Sequence, residues 1–227
     1  MNKVINLVKA FSNFIIYMVL QVGLSMLLGR LILSSDHTMK SAIYIGIEIV
    51  TLLVLCLINR KKLLKDFKDF DKNYKKYLAI GFKAWIIGFV VMCVSNLLIN
   101  TFVLSNIASN EQVDRLIIDL FPLYSVISMI FIGPFIEELA FRLGFKQYIK
   151  NKALYYILSV TLFAGMHVLN SIENPLELLY FIPYGALAVS FSYTLDKTDN
   201  IFTTTVVHTL HNLFAIIVIT IYLALGV

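Results

Sequence analysis

Charged residues are scarce in this sequence, and cysteine is almost absent. Only 15% of the 227 residues are Asp, Glu, Lys or Arg, whereas an ordinary soluble domain carries about 25%. Apolar residues make up 59%, and a chain this short cannot hide so much apolar surface in a soluble core. The two cysteines, Cys56 and Cys93, lie in apolar runs and supply neither a disulfide framework nor a cysteine-rich metal site. A soluble enzyme, a nucleic-acid-binding domain and a disordered chain are thereby excluded.

Hydrophobic windows long enough to cross a bilayer, which takes about 20 apolar residues, recur along the whole chain. The sequence therefore predicts an all-α polytopic transmembrane helix bundle, forming a single integral-membrane domain over residues 1–227. About seven spans are expected, with six to eight allowed because the fifth window is short and the seventh is long. The windows are Phe11–Leu33, Ser41–Asn59, Tyr77–Leu104, Leu120–Phe145, Leu154–Leu169, Leu176–Leu195 and Ile201–Val227.

Basic residues are concentrated in alternate connections between these windows. The connection Arg60–Lys76, interpreted as a loop, holds eight of them, and its side of the membrane holds fourteen against three on the other side. By the positive-inside rule, the N-terminus is cytoplasmic and, with seven spans, the C-terminus is outside. The positive charge thus encodes orientation, so no nucleic acid is expected as a partner, and the basic loop is suited to contact the headgroups of the lipid bilayer.

Ionisable residues inside a span are informative because each costs about 2.5–3.5 kcal/mol at mid-membrane. The fourth span contains Glu137, Glu138 and Arg142. Glu138 and Arg142 are four positions apart, so they share a helix face and can form an ion pair. Glu137 is rotated by about 100° from Glu138, which leaves its carboxylate free for chemistry. The structural alternative is that all three residues form a buried polar cluster that holds the helices together.

Two later spans carry further polar pairs at one-turn spacing. Phe163 and His167 lie in the fifth span, and His208 and Asn212 lie in the seventh. His208 and Asn212 share a helix face, so both side chains can form hydrogen bonds with a single oxygen atom. The structural alternative is an interhelical hydrogen bond. At about 1.5 Å of rise per residue, His208 and Asn212 lie at depths similar to that of Glu137, while His167 lies deeper. The sequence therefore predicts that these helices bring their polar groups together.

Three motifs, in this order on three hydrophobic helices, carry a family resemblance: Glu137-Glu138-x-x-x-Arg142, Phe163-x-x-x-His167 and His208-x-x-x-Asn212. They resemble the CPBP family of CAAX proteases and bacteriocin-processing enzymes, also called the Abi family. The resemblance covers Pro134 to Phe214, within a family-like catalytic core at about residues 120–220. Family members often have Gly directly after the arginine, whereas Leu143 stands there in this chain, a departure that bears on substrate fit.

The resemblance implies an intramembrane endopeptidase that acts on a peptide or a membrane-associated protein from a cavity open to the cytoplasm. By this resemblance, Glu137 is the general base and His167 helps to hold the nucleophilic water. His208 and Asn212 are, by the same resemblance, the pair that stabilises the oxyanion. These roles agree with physical chemistry. A carboxylate in an apolar cavity is a stronger base than one in water, and each N–H aimed at an oxyanion is worth about 3–4 kcal/mol.

Metal dependence stays open between two alternatives. Glu137, His167 and His208 have side chains of the types that zinc accepts, and these three residues are the expected ligands if zinc is present. The His-Glu-x-x-His spacing of zinc proteases is absent, however, and an oxyanion role uses His208. A metal-free glutamate mechanism without any cofactor is therefore favoured. The other motif residues suit a structural or positioning role: Glu138, Arg142 and Phe163.

Two other functions compete with proteolysis. The protein is alternatively a bacteriocin self-immunity or membrane-protein-binding protein of the same family, which need not cleave its partner. A small transporter is the third candidate, because buried carboxylates and histidines relay protons, although no inverted repeat is found. The many Lys, Ile and Asn residues are typical of a low-GC bacterium, so we expect the bacterial cytoplasmic membrane as the location.

Overall fold

The computed structural model describes residues 3–104, 107–169 and 174–225. It is 94% helical, and no strand occurs in the described part of the chain, which confirms the all-α prediction. Val227, the predicted end of the last span, lies outside the described residues. The helical segments are α1 (Val4–Leu27), α2 (Gly29–Ser34), α3 (His37–Phe102), α4 (Ser109–Leu120), α5 (Pro122–Tyr148), α6 (Lys152–Leu169), α7 (Pro175–Thr198) and α8 (Ile201–Leu225).

The helices have the lengths and compositions of a polytopic membrane bundle. Within the described ranges, five of them (α1, α3, α6, α7 and α8) are long and apolar enough to cross a membrane. A sixth crossing results if α4 and α5, which meet at an angle of 119°, form one bent span. The bend falls at Phe121, because the residue before a proline is disfavoured in helical geometry.

The prediction of a loop at residues 60–76 is wrong, because these residues lie within α3. This helix is unbroken over 66 residues, which corresponds to about 100 Å at 1.5 Å per residue, whereas the hydrocarbon core is about 30 Å thick. Residues 60–76 contain no Gly or Pro and are rich in Lys, which is a good helix former. Their charge therefore did not prevent helix formation.

Although α3 is continuous, its two ends run in opposite directions. Its first part runs in the same direction as α5, and its second part in the same direction as α8. Since α5 and α8 are antiparallel, α3 turns back on itself across the basic segment, residues 60–76. The contacts that establish these directions are Glu48–Ser128, Asn59–Asn13 with Asn13–Leu139, Trp85–His211, Phe89–Phe214, His208–Glu138 and Asn212–Met129.

The basic segment is attached to the first turn of α8. Asp66 is 2% exposed, forms an ion pair with Lys62 at 3.0 Å and accepts a hydrogen bond from the backbone N–H of Ile201 at 3.2 Å. The side chain of Asn200 in turn donates to the backbone carbonyl of Asp66 at 2.7 Å. An aspartate at a helix N-terminus satisfies a free backbone N–H there. These contacts fix the start of α8, and hence the position of His208 two turns later.

The centre of the bundle is α5. Residues 139–145 of this helix are all buried, and they pack against α1, α3 and α6. Gly144 allows α1 to approach closely, because a Cβ atom there would lie 2.7 Å from the carbonyl oxygen of Ala10. Two π-helical stretches, Val126–Ile132 and Leu139–Leu143, flank Gly133–Glu138, and π-helical turns occur frequently at functional sites.

Candidate active site

A cavity of about 700 Å³ lies inside the bundle, and every helix except α2 contributes to its lining. Four of its lining residues are those predicted to be catalytic, Glu137, His167, His208 and Asn212, and Phe163 lines it too. They come from α5, α6 and α8, so the structure brings the three sequence motifs together around one space. The two remaining motif residues, Glu138 and Arg142, lie behind the cavity wall and do not line it.

The ion pair predicted from the spacing of Glu138 and Arg142 is present and completely buried. Nη1 of Arg142 donates to Oε1 of Glu138 at 2.7 Å, and both side chains are 0% exposed. The guanidinium group lies over the rings of Phe163, at 4.3 Å, and Phe191, at 5.3 Å. These ring faces attract the cation, although Nε and Nη2 of Arg142 have no hydrogen-bond partner among the described residues. This buried Glu138–Arg142 ion pair, which lies behind the cavity wall, is called the floor of the site.

His208 connects this floor to the cavity. Its Nδ1 lies 2.8 Å from Oε1 of Glu138, and its Nε2 lies 3.6 Å from Oε2 of Glu137. The imidazole ring is 3% exposed and stacks on Phe191 with centroids 4.5 Å apart. Because a carboxylate paired with arginine only accepts hydrogen bonds, Nδ1 carries a proton and donates it to Glu138. Nε2 can therefore donate only when the ring is the imidazolium form.

Glu137 is the accessible carboxylate of the two. Its side chain is 25% exposed, whereas that of Glu138 is 0% exposed. The distance of 3.6 Å to His208 is too long for a hydrogen bond, and no described residue donates one to Glu137. The carboxylate oxygens of Glu137 are thus available to a water molecule in the cavity.

His167 is held in one orientation by its own helix and by a ring from α7. Nδ1 of His167 lies 2.9 Å from the backbone carbonyl of Phe163, so Nδ1 is the protonated nitrogen. The imidazole packs against the rings of Phe163, at 4.4 Å, and Tyr184, at 5.0 Å. Nε2 of His167 is consequently the nitrogen that remains available to a water molecule. Sequence reasoning did not identify Tyr184, which belongs to no motif.

Asn212 uses part of its hydrogen-bonding capacity to hold two helices together. Its Nδ2 donates to the backbone carbonyl of Met129 at 2.8 Å, and Met129 lies in the first π-helical stretch of α5. This is the interhelical bond that the structural alternative predicted for this residue. A carboxamide has a second N–H, however, and Asn212 lines the cavity, so one contact does not exhaust the side chain. Next to it, His211 accepts a hydrogen bond from Nε1 of Trp85 at 3.3 Å.

Acidic residues outside the motifs, which were not among the predicted site residues, also line the cavity. Glu48, in the first part of α3, and Asp114, in α4, both belong to the lining. Glu48 is an acidic residue within a predicted span, which was a signal available from the sequence. Asp114 precedes the fourth span and gave no such signal.

The described residues do not form the cluster of ligands that the zinc alternative requires. Across residues 3–104, 107–169 and 174–225, no group of three or more His, Cys, Asp and Glu side chains is arranged to hold a metal ion. Glu137, His167 and His208, which the zinc alternative requires, do not form such a group. Both nitrogens of His208 already face carboxylates.

Comparison with known proteins places the motifs inside a matched region. Residues 119–214 match the sequence profile of the family described as type II CAAX prenyl endopeptidase Rce1-like. The UPF0177 protein YbdI of Lactococcus lactis subsp. lactis (strain IL1403) is 26% identical over 172 residues, which cover 74% of this chain and 90% of that protein. No solved structure matches the chain. The matched region contains every motif residue and nearly coincides with the predicted core at residues 120–220.

Proposed function

We propose that this chain is an intramembrane endopeptidase of the CPBP, or Abi, family, and that it hydrolyses a peptide bond with a water molecule activated by Glu137. The match of residues 119–214 to the Rce1-like family supports the family assignment. The substrate is a peptide or a membrane-associated protein. The observation that carries the proposal is the cavity inside the apolar bundle, which is lined by Glu137, His167, His208 and Asn212 from three different helices.

The first chemical step in this proposal is attack by water. Glu137 accepts a proton from the water, whose oxygen forms a bond to the carbonyl carbon of the scissile peptide. Nε2 of His167 accepts a hydrogen bond from the second O–H of that water and so orients it. When the tetrahedral intermediate collapses, the C–N bond breaks and Glu137 returns its proton to the leaving amine. An accessible carboxylate without hydrogen-bond donors suits a general base, a role typically worth 10²–10⁴-fold in rate.

The negative charge on the carbonyl oxygen is stabilised from α8. Nε2 of His208 and the second N–H of Asn212 donate to it, and His208 does so as an imidazolium because Glu138 already takes the proton on Nδ1. Glu138 and Arg142 therefore act as positioning residues, since they hold His208 without touching the substrate. In the free site, the carboxylate of Glu137 lies 3.6 Å from Nε2. In the tetrahedral intermediate Glu137 carries the proton taken from water, so the oxyanion replaces it as the anionic partner of Nε2.

The proposed location is the bacterial cytoplasmic membrane, with the N-terminus in the cytoplasm. The support is that basic residues from distant parts of the chain collect at one end of the bundle. Lys62, in the basic segment, pairs with Asp199 after α7, and Lys146 and Lys152 both pair with Asp196 near the end of α7. Such a basic end faces the cytoplasm under the positive-inside rule.

The test is cleavage by the purified full-length chain in liposomes. The chain is incubated with a defined mixture of synthetic peptides, and the products are identified by mass spectrometry. We expect the cleavage rate to fall at least about 100-fold in Glu137→Gln. The control is Glu111→Gln, which changes another carboxylate of the cavity, one that is paired with Arg115, and it should retain the wild-type cleavage rate. Cleavage that persists in Glu137→Gln would refute the mechanism.

A second arm addresses the metal. We expect cleavage to continue in the presence of a strong zinc chelator. Activity that is lost with the chelator and recovered on addition of zinc would overturn the metal-free part of the proposal and leave the peptidase assignment standing. A wild-type chain that binds peptides without cleaving any would favour the binding or immunity alternative.

A further inference from the structure

The cavity contains more negative charge than the proposed reaction needs. Four acidic side chains line it, Glu48, Glu111, Asp114 and Glu137, and its described lining residues include no Lys or Arg. The hydrolytic mechanism uses only Glu137. Carboxylates surrounded by apolar helices are costly, so the other three call for an explanation.

Only one of these three extra carboxylates has a cationic partner within the protein. Glu111 forms an ion pair with Arg115 at 3.0 Å. Asp114 accepts a hydrogen bond from the neutral side chain of Asn110 at 3.2 Å. Arg142 pairs with Glu138 at the floor of the site, and Lys62 and Lys146 form ion pairs at the basic end of the bundle. Among the described residues, Glu48 and Asp114 thus have no cation.

Glu48 is the more deeply buried of the two. It is 8% exposed, and its Oε1 accepts hydrogen bonds from Ser128 at 2.5 Å and Tyr124 at 3.1 Å. Its Oε2 has no hydrogen-bond partner among the described residues, although the side chain borders the cavity. Two hydroxyl groups orient one oxygen while the other is left unsatisfied. A carboxylate held in this manner is prepared for a ligand that brings its own hydrogen-bond donors.

We infer that Glu48 binds a cationic side chain, lysine or arginine, of the peptide that the cavity accepts. The inference rests on the proposed function for the ligand being a peptide. Asp114 adds to the attraction, because a cleft with one sign of charge and apolar walls concentrates ligands of the opposite sign. Peptides with an acidic group in this part of the cavity are rejected by the same charges.

The position of Glu48 sets where the cation stands in the peptide. Glu48 contacts Ser128, which lies nine residues before Glu137 on α5 and is therefore about 13 Å away along the helix axis. An extended peptide rises about 3.3 Å per residue. The basic residue consequently lies within about four residues of the bond that is cleaved.

The experiment compares three fluorescent peptides that differ only in one residue, Lys, Gln or Glu. Their dissociation constants are measured with the full-length chain in detergent, in the Glu137→Gln background so that no peptide is consumed. We expect the Lys peptide to bind about tenfold more tightly than the Gln peptide, the size of one charge-assisted hydrogen bond. The Glu peptide should bind most weakly.

Glu48→Gln is the informative variant, because the carboxamide keeps an acceptor for Ser128 and Tyr124 while the charge is removed. We expect the preference for Lys over Gln to fall to less than about twofold in Glu48→Gln and to remain in Glu111→Gln, the matched control. A Lys preference that is absent from the wild-type cavity, or that survives in Glu48→Gln, would overturn the inference. The binding result does not depend on cleavage. Cleavage that is absent, or that persists in Glu137→Gln, refutes the proposed function. Equal binding of the three peptides refutes the cation site.

Discussion

Glu137 and Glu138 are adjacent in sequence, yet they lie in two opposite kinds of surroundings. Glu138 belongs to a sealed region, where it is fully buried and pairs with Arg142 and His208. The rings of Phe163 and Phe191 cover the guanidinium group of Arg142. Glu137 belongs to an open region, where it faces a cavity and shares no arginine. A rotation of about 100° around the helix axis thus separates a group that holds the site in shape from a group that is free to exchange a proton. This difference also predicts that the two regions respond differently to mutation.

The largest effect on stability is expected from Arg142→Met. This change leaves Glu138 buried without a cation, and breaking one partner of a buried pair costs about 3–5 kcal/mol. The matched control is Arg115→Gln, which breaks another Arg–Glu pair with the same four-residue spacing but with side chains 27% and 36% exposed; exposed pairs contribute at most about 1 kcal/mol. Thermal unfolding of the detergent-purified variants measures both. Equal losses in the two variants would show that the sealed ion pair is no more important to stability than the partly exposed one.

The spacing rule predicted this sealed pair, and it could do so because the partners are four residues apart on one helix. The same reasoning separated Glu137 from Glu138 and placed the three motifs around one space. It did not find the hydrogen bonds of Glu48, because Tyr124 and Ser128 lie 76 and 80 residues further along the chain. A lone carboxylate in a span reveals that it needs partners but not where they are.

The course of α3 was missed for a different reason. The density of charge over residues 60–76 is typical of a loop between spans, and this pattern outweighed the good helix propensity of the same residues. Leu63 and Asp66 are buried against other helices, so tertiary contacts keep the segment helical. The predicted antiparallel arrangement of the second and third spans is nevertheless present in the two ends of α3.

The next largest effect is expected on catalysis, from Glu138→Gln. The carboxamide of Gln fills the same space as the carboxylate but carries no negative charge. Without that charge beside Nδ1, the imidazolium form of His208 is lost, and Nε2 has no proton to donate to the oxyanion. Loss of one oxyanion donor costs about 10²–10³-fold in kcat. KM should change little, because the contact strengthens only in the transition state. A fall in kcat/KM that comes entirely from KM would place Glu138 in substrate binding instead.

A smaller effect is expected from Gly144→Ala, which tests how tightly the sealed region is packed. The new methyl group meets the Ala10 carbonyl at 2.7 Å, a backbone atom that cannot rotate away, so α1 must shift at a cost of about 1–3 kcal/mol. Gly46→Ala is the control, since nothing lies within 4 Å of the added atom and alanine favours the helix by about 1 kcal/mol. The two variants should move the unfolding temperature in opposite directions. A shift in the same direction would mean that α1 is not packed against α5 as described.

The smallest effect on stability is expected from Glu137→Gln, the same change that should abolish cleavage. No described residue donates a hydrogen bond to Glu137. Attraction by His208 and Arg142 and repulsion by Glu138 and Glu48 act on its charge in opposite directions, so removing the charge breaks no hydrogen-bonded pair. We expect the free energy of unfolding to change by less than about 1 kcal/mol, or to rise, as is common when a group kept for function is removed. Thermal unfolding of Glu137→Gln beside Arg142→Met gives the result directly. A loss in Glu137→Gln as large as that in Arg142→Met would mean that both carboxylates hold the bundle together, and the division into a sealed and an open region would fail.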